Sequence, residues 1–258
     1  MFEKIKCFIL DMDGTIYLGN ELFSYTKEFL KKVDETGRKY YFFTNNSSKS
    51  QQDYIEKLEK FGIRIKNQQM MTSTHVISRY LKQHYEGKSV YVVGTPSLIQ
   101  EFQYFGVNVT EEDPDIVVLG FDTTLTYEKL SKACHYIRNG CIYFGINPDW
   151  NCPMEGGAFI PDCGSIAKLI EASTGRFPEF FGKPSKHTLE YIIQQTGYEP
   201  DEIAIVGDRL HTDIAVADQS DVTSILVLSG ENTREDVKTS DVKPNVILED
   251  LSEITKML

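Results

Sequence analysis

Ile5-Lys6-Cys7-Phe8-Ile9-Leu10-Asp11-Met12-Asp13-Gly14-Thr15 carries an apolar run that stops at two carboxylates. Cys7 to Leu10, with Ile5 ahead of them, reads as a short strand buried on both faces, because a central parallel strand has no polar side. Asp11 and Asp13 then stand at its carboxyl end, and in open α/β sheets the crevice beyond those ends is where ligands bind. Gly14 permits a sharp turn away. Residues two apart on an extended chain point the same way, so the two carboxylates can converge on one cation or one substrate. Two plainer readings compete. A polar turn after a strand uses the same residue types. An EF-hand loop needs an acid at its fifth position and Gly at its sixth, where Thr15 and Ile16 stand, so spacing excludes it.

Outward from that strand, Asn20 to Gly37 carries an incomplete helical stripe (Phe23, Phe29, Leu30, Val33) that Gly37 ends, as a crossover helix would. Arg38 to Phe43 is a second strand, running into the polar cluster Thr44-Asn45-Asn46-Ser47-Ser48. Ser47 or Ser48 is offered as the cap of a helix from Gln51 to Phe61, and a capped helix start with hydroxyls and N–H groups also suits a phosphate. Met71 to Tyr85 reads as a helix. Strands at Ser89 to Gly94, Asp115 to Gly120 and Cys141 to Ile146 then alternate with helical stretches Pro96 to Phe105 and Tyr127 to Gly140. This second α/β unit, residues 79–176, is expected as an inserted domain, with 1–78 and 177–258 forming the core. Gly164 to Thr174 is a helix leading out of it. From Phe180 the first pattern resumes: a short strand ending at Lys183-Pro184, a helix from Lys186 closed at Gly197, and a buried strand Glu202 to Val206 that stops at Gly207-Asp208. His211 and Asp213 follow in a loop, and strands at Thr223 to Leu228 and Val246 to Leu248 complete the sheet.

The 258 residues carry a formal net charge of -11, which argues against nucleic acid or an anionic membrane as partner. An anionic substrate would need local positive charge, most simply a metal ion. Five cysteines without zinc-ligand spacing, and no basic-apolar-small leader, suggest a reducing cytoplasm. No apolar run approaches the roughly 20 residues of a membrane helix, so a soluble protein is expected.

Asp-x-Asp-Gly-Thr at 11–15, a strand ending in Thr44, Gly-Lys-Pro at 182–184 and Gly-Asp-x-x-x-x-Asp at 207–213 come in order. Together they resemble the motifs of the haloacid dehalogenase superfamily along the whole chain. Thr-Asn-Asn-Ser at 44–47, the position of the insertion and Ile146-Asn147-Pro148-Asp149 narrow the likeness to the NagD-like phosphatases. The fold implied is a Rossmann-like doubly wound parallel sheet with an inserted, smaller α/β cap domain. The resemblance implies a hydrolase of small phosphate monoesters, acting through an aspartyl phosphate. Asp11 would be the nucleophile and Asp13 the general acid and base. Thr44, Asn45, Asn46 and Lys183 would bind the phosphate; Asp11, Asp13 through its carbonyl, and Asp208 would hold Mg2+, with Asp213 behind them. An acid at position 13 separates this reading from relatives such as the P-type ATPases and dehalogenases, which lack it. A response-regulator receiver also joins an Asp pair to a Thr and a Lys, but has about half this length and no insertion.

A site built only from phosphate-binding groups cannot tell one monoester from another, so discrimination is expected from the inserted domain. The Pro- and Gly-rich stretch Asn147 to Cys163 is its candidate loop, with Asn147, Asp149, Trp150 and Glu155 as contacts. The expected partner is a small phosphorylated metabolite, with room for a homodimer. His211 and the Trp150 to Pro153 segment receive no role.

Overall fold

The computed structural model describes residues 2–154 and 157–258. The chain opens with β1 (Cys7–Leu10), a small hairpin of β2 (Tyr17–Leu18) and β3 (Glu21–Leu22), α1 (Thr26–Glu35), β4 (Lys39–Thr44), α2 (Gln51–Lys60) and β5 (Met70–Thr72). It continues with α3 (Ser73–His84), β6 (Ser89–Val93), α4 (Pro96–Tyr104), β7 (Asn108–Val109), β8 (Ile116–Leu119), α5 (Tyr127–Arg138) and β9 (Ile142–Gly145). A second hairpin, β10 (Asn151–Pro153) with β11 (Phe159–Pro161), precedes α6 (Cys163–Thr174) and β12 (Glu179–Phe180). The last stretch holds α7 (Lys186–Thr196), β13 (Ile203–Gly207), β14 (Thr223–Val227), α8 (Arg234–Thr239), β15 (Val246–Leu248) and α9 (Leu251–Met257).

These elements fall into two compact units, one of Met1–Thr44, Ile55–Met71 and Lys183–Leu258, the other of Asn45–Tyr54 and Thr72–Gly182. The boundary read from sequence at residue 79 falls inside α3, which belongs whole to the second unit.

The first unit is built on a six-stranded sheet in the order β15-β14-β13-β1-β4-β5. β1 lies at its centre and pairs in parallel with β13 and β4, Leu10 standing level with Val206 and Phe42. All four of its residues are buried, which is why its sequence is apolar without alternation. Burying a side chain such as Phe8 or Ile9 contributes roughly 1.5–3 kcal/mol. Parallel strands with helical crossovers put the carboxyl ends of β13, β1 and β4 side by side, and Asp208, Asp11 and Thr44 with them.

The second unit carries a five-stranded sheet in the order β12-β9-β8-β6-β7. Its core joins Tyr91, Val117, Leu119 and Tyr143 of the strands to Ala133, Ile137, Ile166 and Ile170 of α5 and α6. Tyr80, Phe144 and Phe181 form an aromatic cluster there, with ring centroids 4.7 Å apart for Tyr80 and Phe181 and 5.2 Å for Phe144 and Phe181.

The strand before Lys183 corrects the sequence reading. Glu179 and Phe180 pair with Phe144 and Gly145 of β9 and so extend the second sheet, because Phe180 and Phe181 are drawn to that unit's apolar interior. Lys183 therefore begins the first unit's last stretch and does not terminate one of its strands. The helix cap differs too. Ser50 and Asp53 close a reciprocal pair at the start of α2, with Asp53 N donating to Ser50 Oγ (3.2 Å) and Ser50 N to Asp53 Oδ2 (2.8 Å), which frees Ser47 for other bonds. Among the described residues no helix is long and apolar enough to cross a membrane.

Candidate active site

Asp11 follows β1 directly, and its N–H continues the ladder by donating to the Val206 carbonyl (2.8 Å). Its Oδ1 accepts from Lys183 Nζ at 2.6 Å, and the same ammonium reaches Asp213 Oδ1 at 2.5 Å and the Phe43 carbonyl at 3.4 Å. Lys183 is thus a buried bridge between two carboxylates. Asp213 spends its second oxygen on the Arg209 N–H (3.0 Å), within a wide helical turn, Leu210–Ile214, that a flexible loop would not provide. Asp208 Oδ2 accepts from Glu231 N at 2.7 Å, while its Oδ1 is buried with no hydrogen-bond partner among the described residues.

Ligand oxygens of Asp11, Asp208 and Asp213 all lie within 4.8 Å of one another. Three acids against one ammonium leave the cluster short of positive charge, which favours protonation of its carboxyls. Burial, then the Asp213 carboxylate, push Asp11 up to about 7, against the pull of Lys183 and Arg209. Burial, then Asp11 and Asp213, raise Asp208 well above the usual carboxylate range. Burial works against the Lys183 ammonium, but Asp11 and Asp213 outweigh it and hold its pKa above the ordinary value.

Close approach of the backbone shapes this pocket. Gly14 has φ +88°, and a Cβ there would overlap the Asp208 carboxylate; the same carboxylate leaves no room for a Cβ at Gly230. Asp13 sits half-buried on the turn that Gly14 makes, which Ser229 Oγ ties down by donating to the Gly14 carbonyl (2.7 Å). Thr44 is buried at the end of β4.

The remaining candidates lie in the second unit, in a network of neutral donors and carboxylates. Asn45 Nδ2 donates to Asp149 Oδ2 (3.0 Å) and Ser73 Oγ donates to Asn45 Oδ1 (2.9 Å). Asn147 Nδ2 donates to both Asp149 Oδ2 and Asp162 Oδ1 at 2.9 Å, and its Oδ1 accepts from Ser47 Oγ at 2.8 Å. Asn147 is wholly buried and Asp149 is 4% exposed, so these side chains face one another and not solvent. Asn46 Oδ1 accepts from Ser48 N (3.0 Å) and Ser48 Oγ (2.7 Å). Trp150 is 48% exposed on a backbone fixed by Asp162 N (2.9 Å) and Ser165 Oγ (2.5 Å), both donating to its carbonyl. Glu155 lies outside the described residues, and His211 is exposed.

The sequence reading passed over the loop Ser229–Gly230–Glu231–Asn232, which holds Asp208 through Glu231 N and Leu210 N through Asn232 Oδ1 (2.7 Å). Its signal was the one used elsewhere: Ser and Gly at the point where the apolar run of β14 ends.

Comparison with known proteins identifies the family. Residues 8–108 match the family model of haloacid dehalogenase-like hydrolases, and 180–254 match a HAD-hydrolase-like model. Acid sugar phosphatase of Staphylococcus aureus (strain MRSA252) is 33% identical over 252 residues, 97% of each chain. The crystal structure of 4-nitrophenylphosphatase from Thermotoga maritima superposes with a TM-score of 0.95 at 42% identity, over 99% of this chain and 98% of that one. NagD from E. coli K-12 gives 0.88 at 31% identity, over 96% and 98%. The chain belongs to the haloacid dehalogenase-like hydrolase family, as a NagD-like phosphatase.

Proposed function

We propose that this phosphatase hydrolyses monoesters of small metabolites, sugar phosphates foremost, through an aspartyl phosphate formed on Asp11. The observation that carries the reading is the partnerless, buried Asp208 Oδ1 beside Asp11 and the Lys183 bridge. An all-oxygen donor set with excess negative charge fits a hard divalent cation, and Mg2+ prefers such ligands. The Asp11 and Asp208 carboxylates and the Asp13 main-chain carbonyl would hold it. When bound, Mg2+ would offset charge on the transferred phosphoryl group.

The chain's own groups carry out the steps. Asp11 attacks phosphorus as the ester P–O bond breaks, and Asp13 gives its proton to the departing oxygen. Asp13 then takes a proton from water, whose oxygen attacks the aspartyl phosphate, releasing inorganic phosphate and restoring Asp11. Lys183, fixed by Asp213, keeps positive charge beside Asp11 and the phosphoryl oxygens, and the Thr44 hydroxyl donates to them. Asn45 and Asn46, with side chains engaged elsewhere, would shape the loop after Thr44. The acid sugar phosphatase relative makes sugar phosphates the first class to assay, and Trp150 the exposed candidate for choosing among them.

The test is phosphate release from a sugar phosphate panel and from p-nitrophenyl phosphate, with Mg2+ and with EDTA. Sustained turnover that EDTA abolishes is expected. A single stoichiometric phosphorylation without turnover would overturn the reading in favour of a receiver-like domain.

A further inference from the structure

At the opposite end of β4 from Thr44, Lys39, Arg64 and Lys66 line a cleft of about 600 Å³ whose wall also includes Asp34 and Gln68. β4 runs from Lys39 to Thr44, so about 16 Å of extended strand separates this cleft from the end that carries the acid cluster. In a chain of net charge -11, several surface lysines pair with acids, as Lys88 does with Asp115 (2.8 Å) and Lys132 with Glu111 (3.1 Å). Among the described residues none of the three cleft cations has such a partner, and Asp34 is the one carboxylate in the wall. The site is also built. Gln69 accepts from Lys66 N through Oε1 (3.1 Å) and donates to the Tyr40 carbonyl through Nε2 (3.2 Å), clamping the loop that bears Lys66 onto β4. Lys39 N is fixed by the Lys6 carbonyl (2.8 Å).

We infer that this cleft binds a small oligophosphate, a di- or triphosphate group held by Lys39, Arg64 and Lys66. Three cations against one acid suit a ligand of two or more negative charges, and a guanidinium beside two ammoniums suits phosphate oxygens. The group can come from inorganic pyrophosphate or from the tail of a nucleotide. The inference does not rest on the reaction scheme proposed above.

Isothermal titration with pyrophosphate, ADP and orthophosphate, on wild type, Arg64→Ala/Lys66→Ala and Lys183→Ala, tests it. Pyrophosphate and ADP are expected to bind wild type and Lys183→Ala alike, more tightly than orthophosphate, and to weaken about tenfold or more in Arg64→Ala/Lys66→Ala, as loss of two charge-assisted contacts implies. Binding should also fall with added salt, and kcat/KM for p-nitrophenyl phosphate should be unchanged in Arg64→Ala/Lys66→Ala. Equal affinity for ADP and pyrophosphate makes the phosphates the whole determinant, whereas tighter ADP assigns the site to nucleotides; both support the cleft. Absence of binding in wild type, retention in Arg64→Ala/Lys66→Ala, or loss in an active-site variant shown by circular dichroism to be folded, Lys183→Ala or the shape-preserving Asp11→Asn, would overturn it.

Discussion

Two buried polar clusters in this molecule solve opposite problems. Around Asp11 the first unit gathers three carboxylates and one ammonium, and leaves Asp208 Oδ1 with nothing to bond. Around Asn147 the second unit gathers Asn45, Ser47, Asp149 and Asp162, and the Asn147 amide has a partner for both of its hydrogens and for its oxygen. Buried polar groups are ordinarily satisfied, so the deficit beside Asp11 supports placing the proposed chemistry in the first cluster, whereas the completeness of the second fits a structural role. The same comparison separates the candidates that sequence had grouped together, because Asn147 and Asp149 are spent on holding the unit together.

The widest gap should open at Asp11. Asp11→Asn keeps the shape but cannot form the acyl phosphate, so kcat for p-nitrophenyl phosphate should fall by about four orders of magnitude or more. Thermal stability should hold or rise, since one of three crowded acids is gone. Activity within tenfold of wild type would remove Asp11 from the role of nucleophile.

Lys183→Met and Asn147→Ala then pull the clusters apart. Removing the ammonium takes the bridging cation from Asp11 and Asp213 and should cost about 3–5 kcal/mol of stability in urea titration, along with activity. Lys183→Met/Asp213→Asn should recover much of that stability and none of the turnover. Asn147→Ala should cost about 1–3 kcal/mol by removing one donor from each of the buried Asp149 and Asp162 carboxylates and the acceptor of Ser47 Oγ, with kcat/KM for p-nitrophenyl phosphate nearly unchanged below the melting transition. A large catalytic loss in Asn147→Ala at full folding would show that the second network also serves the reaction.

Mg2+ should act on the first cluster alone. At a hundredfold excess over Kd, binding to the native state contributes about 2.7 kcal/mol, so Tm should rise with Mg2+ and fall back with EDTA. Asp208→Asn should lose most of that response, and Asn147→Ala should keep it. A metal-independent Tm in wild type would contradict the cation site.

How much of this was legible beforehand follows from how local each signal is. The Asp11, Thr44 and Asp208 strand ends were readable because an apolar run broken by a polar group is local, and the parallel sheet brings such ends together. The strand before Lys183 was read into the wrong sheet, since Phe180 and Phe181 are apolar enough for either and pairing partners lie far away in sequence: Glu179 pairs with Phe144. The β10–β11 hairpin and β5 are three residues per strand, too short for periodicity to register. The Asn147 network was invisible because hydrogen bonds spanning a hundred residues, as from Ser47 to Asn147, leave no pattern in the chain.

Glu101 lies in the second unit but behaves like the first cluster in miniature. It is buried on α4, accepts from Gln51 N (2.6 Å), and burial pushes its carboxyl up to about 7. A carboxyl raised from its usual 4.5 binds a proton more tightly when folded, so its contribution is full below pH 4.5 and is lost as pH climbs toward 7. Stability should fall by on the order of 2 kcal/mol across that window, and Glu101→Gln should flatten the fall, with the bond from Gln51 N kept. An unaltered pH slope in Glu101→Gln would assign the fall to other groups.

The smallest expected effect is at Trp150, where the contrast moves from stability to choice of substrate. Its carbonyl is fixed by two donors while the residue is 48% exposed, and Met154 (49%) and Phe159 (61%) are exposed on the adjoining hairpin. Large exposed apolar side chains suit contact with the part of a substrate that does not react, or with another protein surface. Such contacts act on kcat/KM only for substrates long enough to make them. Trp150→Ala should therefore reorder kcat/KM across the sugar phosphate panel by about three- to tenfold, roughly 1 kcal/mol, with p-nitrophenyl phosphate shifted less. A uniform change across the panel would make Trp150 a general support of the hairpin, and no change at all would leave its exposed ring to an interface between proteins, which sedimentation of wild type against Trp150→Ala would then reveal as a loss of self-association.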